Sequence, residues 1–177
     1  IASELIGNAE ANLADVALAL GDLPSAESHL AAVAAILGDR RNEWMTWRYG
    51  MHYHLSSAEL ALARGDLGRA RSHIETCQVT AERTRSRRYL IRASRLLGEC
   101  HVAAGNLVEA ERLLAAAVRD AKTLGNPPQI WHAGLAFGRI LHDLGRRDEA
   151  ITTWREALDI VRAVAQAVPE DLRASLL

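Results

Sequence analysis

Gly105-Asn106-Leu107-Val108-Glu109-Ala110 reads as the end of one helix and the start of the next. Gly105 closes a helical run and Asn106 caps the following one. Glu109, three residues on, completes the reciprocal arrangement that satisfies two free amide donors. The same turn recurs as Gly21-Asp22-Leu23 leading to Ala26, Gly65-Asp66-Leu67 leading to Ala70, and Gly145-Arg146-Arg147 leading to Ala150. The glycines therefore step by 44, 40 and 40 residues.

Further columns move in register with them. Seven residues before each glycine stands a small residue (Ala14, Ala58, Gly98, Gly138), and nine after it a large apolar one (Leu30, Ile74, Leu114, Trp154). Twelve after it come Val33, Cys77, Ala117 and Ala157. Small residues let two helices approach closely and the large one fills the space between pairs. Period and pattern mark stacked helical hairpins, none of which buries its apolar face alone.

These columns of small residue, glycine, alanine and large apolar residue resemble the tetratricopeptide repeat, whose helix A ends in the glycine and whose helix B carries the alanine. The resemblance covers nearly the whole chain. The period departs from the family's usual value of about 34, and Ala17, Ala61, His101 and Leu141 stand where a tyrosine is common. The longer period is similar to that of the helical regions following the nucleotide-binding domains of large bacterial signalling ATPases and MalT-like regulators.

The fold expected is all-α, a right-handed α-α superhelix (solenoid) of four antiparallel helical hairpins in a single domain. The repeats span about 3–38, 43–86, 88–125 and 128–168, and a truncated capping helix opens over 169–177. Helix 1A runs from Glu4 to Leu20. Helix 1B, with Pro24 in its first turn, ends near Leu37. Helix 2A, long for such a repeat, spans Glu43 to Arg64 after the loop 38–42, and helix 2B covers Leu67 to Arg83. The join 84–87 holds no strong breaker and is expected to stay partly helical. Helix 3A covers Arg88 to Ala104 and helix 3B Leu107 to Leu124. Pro127 and Pro128 then force a stop and restart before helix 4A, which runs to Leu144. Helix 4B, about Arg147 to Ala167, is apolar over a wide arc and expects a neighbour on both sides.

A net charge of −1 removes the long-range attraction that nonspecific nucleic-acid binding requires. Two cysteines, Cys77 and Cys100, both inside helical patterns, make no disulfide framework. No apolar run reaches bilayer-spanning length and no signal segment opens the chain, so a cytoplasmic location without a membrane partner is expected. The start at Ile1 without methionine reads as an excised piece of a larger regulatory or signalling protein.

The resemblance implies a concave face lined by helix A at fixed offsets from each glycine. Thirteen before it stand Asn8, His52, Arg92 and His132; ten before it, Ala11, Leu55, Arg95 and Leu135; six before it, Asp15, Glu59, Glu99 and Arg139. The first half of that face is acidic and the second basic. The co-chaperone version of the family clamps a terminal carboxylate with lysine and asparagine, but Ala11 and Asp15 stand at the equivalent places here, so that ligand is not expected. Arg88, Arg92 and Arg95, spaced four and three apart, share one helical face. Guanidinium groups so placed either grip an acidic protein or peptide bidentately or pair internally with Glu59 or Glu99.

Half of the eight aromatic residues lie between 44 and 53. Trp44, Trp47, Met51 and Leu55 fall on one face of a continuous helix, Tyr49 and Tyr53 on another. They read as packing against neighbouring helices or as a surface for self-association, a homodimer in the simplest case. His73, Cys77, Cys100 and His101 lie on adjacent helices without the paired spacing of zinc motifs, so no metal is expected. With no phosphate loop, nucleophile elbow or HExxH motif, neither an enzyme nor a cofactor is expected.

Overall fold

The computed structural model describes residues 2–169, except for the side chains of Ala2 and Arg48. Eight α-helices follow one another: α1 (Ala2–Leu20), α2 (Leu23–Gly38), α3 (Thr46–Ala63), α4 (Leu67–Arg83), α5 (Arg87–Ala103), α6 (Leu107–Leu124), α7 (Pro127–Asp143) and α8 (Arg147–Gln166). No strand occurs among the described residues. The chain is an all-α array of helical-hairpin repeats. The capping helix expected over 169–177 lies beyond Pro169, outside the described residues.

Local chemistry places the inner turn of each hairpin. Gly21, Gly65, Gly105 and Gly145 take φ of 74°, 76°, 75° and 80°, a left-handed conformation that any Cβ would strain. The next residue starts the second helix. Asp22 accepts from the Ser25 amide at 3.1 Å, Asp66 from the Arg69 amide at 2.9 Å and Asn106 from the Glu109 amide at 3.5 Å. Arg146 caps α8 without a side-chain bond to its amides and instead grips Glu149 one turn along.

The outer connections depart from the sequence reading. Helix 2A does not begin at Glu43. Residues Arg40–Met45 form a 3-10 turn, capped by the Asp39 carboxylate on the Arg41 amide at 3.0 Å, and α3 starts at Thr46. The tighter turn sends Met45 fully into the core, its Cε against Gly7 of α1. The aromatic segment is therefore not one continuous helical face: Met51 and Leu55 are buried, whereas Trp44 and Trp47 stand 51% and 52% exposed. The join 84–87 does not stay helical either. Arg85 takes φ of 53°, the left-handed conformation a glycine would supply, and α5 restarts at Arg87.

The chain divides into two compact units, Ile1–Leu96 and Leu97–Leu177. In unit 1, Ala14, Ala17, Ala26, Leu30 and Leu60 form a core that Leu18, Leu23 and Tyr53 complete. In unit 2, Ala110, Leu114, Ala136 and Ile140 form another, with Val102, Leu107 and Phe137 packed on it. The small-and-large columns explain how paired helices come so close: a Cβ added at Gly98 would lie 2.7 Å from Leu114 Cγ. Each buried leucine or isoleucine of these columns contributes about 2 kcal/mol of hydrophobic stabilisation.

Candidate functional site

Unit 1 gathers one group of charged side chains from three first helices. Asp15 comes from α1, His52, Ser56 and Glu59 from α3, and Arg92 and Arg95 from α5. The helical steps 52/56/59 and 92/95 bring each set to one face. Arg92 lies at the centre. Its Nη2 donates to Asp15 Oδ1 at 3.2 Å and to Ser56 Oγ at 3.2 Å and lies 3.1 Å from Glu59 Oε2, while its Nε donates to Glu59 Oε1 at 3.2 Å. Arg95 Nη2 donates to the same Glu59 oxygen, Ser56 Oγ donates to Asp15 Oδ1, and His52 Nε2 donates to Asp15 Oδ2 at 2.7 Å.

The arginines are well covered, with side chains 14% and 12% exposed. Burial raises the Asp15 carboxyl, yet its bond from His52 and the charge of Arg92 outweigh that and hold it well below the usual carboxylate range. Glu59 follows the same logic, with burial opposed by Arg92 and Arg95. Two carboxylates stand against two guanidinium groups, and the network ties α1, α3 and α5 together. The positive charge at Arg92 and Arg95 is already spent on partners inside the unit.

The other residues singled out from sequence lie elsewhere. Asn8 is exposed on α1. Arg88 is exposed at the start of α5, its guanidinium over the Tyr89 ring at 4.9 Å and donating to the Tyr89 hydroxyl at 3.1 Å. In unit 2, Glu99 is half-buried on α5, and His132 and Arg139 are exposed on α7. Among the aromatic residues, the Tyr49 hydroxyl donates to Glu4 Oε1 of α1 at 2.8 Å, and Tyr53 packs against the unit 1 core.

The part of Ser56 and the pairing of His54 with His73 escaped the sequence reading. Ser56 is fully buried at the centre of the charge network. Its only signal is a hydroxyl among apolar neighbours on the inward face of a helix. His54 and His73 meet across α3 and α4, Nδ1 to Nδ1 at 3.0 Å, with Tyr53 edge-on to both rings. The Cys77 thiol, also in α4, is pushed up to about 12 by burial and stays protonated at neutral pH.

Burial, with the neighbouring His73 adding to it, holds His54 at about 4 instead of 6.5. In the unfolded chain this imidazole protonates near its ordinary value, so between those two pH values the unfolded state binds more protons. The stabilising contribution is therefore complete above pH 6.5 and is lost as pH falls through about 4. Its size is on the order of 2 kcal/mol after allowance for partial exposure. Denaturant melts of wild type and His54→Gln should diverge over that window, wild type losing more stability on acidification. Parallel curves would show that His54 titrates alike in both states.

The fold and its inner turns define a helical-repeat protein. The tetratricopeptide repeat family model matches residues 8–32, 51–76, 91–116 and 131–156, one match in each hairpin. The chain belongs to the tetratricopeptide repeat family. Repeats of this kind generally mediate protein–protein interaction and scaffolding. Among curated proteins none matches the chain. No helix among the described residues is long and apolar enough to cross a membrane.

Proposed function

We propose that the chain is a non-catalytic protein- or peptide-binding module of a larger regulatory or signalling protein, and that it grips an acidic segment of its partner at the turn between α4 and α5. What carries this reading is the division among the six arginines between 83 and 95. Arg92 and Arg95 are neutralised by Glu59 and Asp15. Arg83, Arg85, Arg87 and Arg88 stand exposed without an ion pair among the described residues, and Glu82 alone opposes them locally. The buried network thus orders α5, and the exposed cluster at its start offers guanidinium forks that no carboxylate among the described residues occupies. Asn8, exposed on α1 of the same unit, belongs to the recognition residues in this reading, and Glu99, His132 and Arg139 are the candidate recognition residues of unit 2 by itself.

The test is the affinity of a fluorescein-labelled oligoglutamate peptide, followed by anisotropy. Reversing Arg83, Arg85, Arg87 and Arg88 together to glutamate should weaken binding at least about tenfold. Raising salt from about 50 to 200 mM should weaken wild-type binding several-fold, because exposed charges are screened over that range. Helical content should stay unchanged, since these side chains contribute little to stability. Undiminished binding by the reversed variant sinks the assignment.

A further inference from the structure

A cleft of about 290 Å³ opens in unit 1 between α2 and α4, with α3 as its floor. Its lining shares no residue with the arginine turn or the charge network, and three of the residues around it break the repeat pattern. Twelve residues before the glycine, the other repeats carry Ala9, Ala93 and Ala133, whereas the second carries Tyr53. Eight before it they carry Leu13, Leu97 and Phe137, against Ser57. Four after it they carry Ser25, Glu109 and Glu149, against Arg69. A scaffold position free to drift would not gather its exceptions around one opening.

The exchange at Ser57 explains the space. In unit 2, Phe137 of α7 packs on the core cluster that contains Leu114. Ser57 holds the same place on α3, opposite Leu30, and its short side chain leaves room that a phenyl ring occupies in unit 2. Ala31 and Ala34 keep the α2 wall low as well. Ser57 is only 8% exposed, yet neither its hydroxyl nor that of Tyr53 has a hydrogen-bond partner among the described residues. Neither oxygen is shut off from solvent, so both are open to a polar group of a ligand.

Of the two arginines in the lining, Arg64 is in an ion pair, whereas Arg69 acts on Glu27 only through its charge at longer range. Glu27 is bridged to Arg64 by two bonds of 2.8 and 2.7 Å, and Asp66 is occupied in capping α4. Burial, reinforced by the Arg69 charge, keeps His73 below the usual imidazole range and so neutral at neutral pH. The Arg69 guanidinium has no ion pair among the described residues.

We propose that this cleft binds a small aromatic carboxylate, its ring on Leu30 and Tyr53 in the space Ser57 leaves and its carboxylate on Arg69. A volume at the low end of ligand pockets suits a single-ring molecule rather than a peptide segment. The polar groups are few and convergent, as such sites require.

Phenylacetate is the probe, with phenylacetamide as its uncharged counterpart, both titrated into the isotope-labelled 177-residue chain and followed by backbone amide shifts. Phenylacetate should bind saturably with a Kd of about 1 mM, as expected for so few atoms, and the shifts should centre on residues 53–57 and 69–73. Arg69→Ala should weaken phenylacetate about tenfold and leave phenylacetamide unchanged. Ser57→Phe, which restores the residue of the fourth repeat, should abolish binding of both without lowering the melting temperature. Absence of saturable shifts, equal affinity for acid and amide, or binding that survives Ser57→Phe each overturns the proposal. None of these substitutions touches the arginines at the α4–α5 turn, so this failure is separable from a failure there.

Discussion

Arg92→Ala is expected to lower the stability of unit 1 by about 3–5 kcal/mol, the usual loss when one member of a buried ion-pair network is removed. The size follows from what stays behind. Asp15 and Glu59 would keep their places beneath α5, Glu59 with Arg95 and Asp15 with only His52 and Ser56. Arg88→Ala, in an exposed side chain of the same helix, should cost less than about 0.5 kcal/mol. Because repeat arrays lose cooperativity, the informative measurement is hydrogen exchange by residue alongside the denaturant melt. Protection should fall in α1, α3 and the first half of α5 while the α7–α8 pair keeps its own. An Arg92→Ala variant as stable as Arg88→Ala would show that the network contributes nothing, and would return Arg92 to the set of groups available to a partner.

How much of this was legible beforehand depended on the range of the interaction. Each inner turn is written in neighbouring residues, a left-handed glycine and an alanine five residues past it, with an Asp or Asn cap in the first three turns and Arg146 in the fourth. The four hairpins could therefore be placed from sequence within a few residues. The outer connections are not written that way. Arg85 adopts a glycine-like conformation with no sign of it in its identity, and the 3-10 turn before α3 goes with the burial of Met45 near Gly7, a tertiary contact that local sequence does not announce. The site divides along the same line. The three-residue spacing of Arg92 and Arg95 brings both to Glu59, whereas Arg88, a turn earlier, is exposed and turns to Tyr89. Which of them is spent internally depends on Asp15 and Glu59, distant in sequence. The internal pairing to Glu59 was one of the two readings open from sequence, whereas the part of Asp15 and Ser56 emerges only when α1, α3 and α5 come together. The exceptions around the cleft are visible in the columns, but a column does not say that its exceptions share a cavity.

Gly138→Ala tests the columns at their tightest point. An added Cβ would lie 2.2 Å from Trp154 Nε1 and 2.4 Å from its Cδ1, so the indole must move bodily, not merely turn a flexible end. That displacement also threatens the bond from Trp154 Nε1 to the Leu135 carbonyl, at 3.3 Å. Alanine gains about 1 kcal/mol over glycine as a helix former, and overpacking a close contact costs about 1–3 kcal/mol or more. With the clash this deep the second term wins, and the α7–α8 hairpin should lose about 2 kcal/mol, seen as a melting temperature lower by roughly 5 °C and a shifted tryptophan emission. The second repeat indicates the remedy, since Ala58 and Ile74 occupy the same two columns there and both are fully buried. Trp154→Ile alone should destabilise by leaving a void. The double variant Gly138→Ala with Trp154→Ile should be more stable than the sum of the single changes by at least about 1 kcal/mol. Strict additivity would mean that the two columns do not contact each other energetically. A favourable coupling would establish that each hairpin is matched in size across its own helix pair, which lets four repeats of different residues keep one architecture.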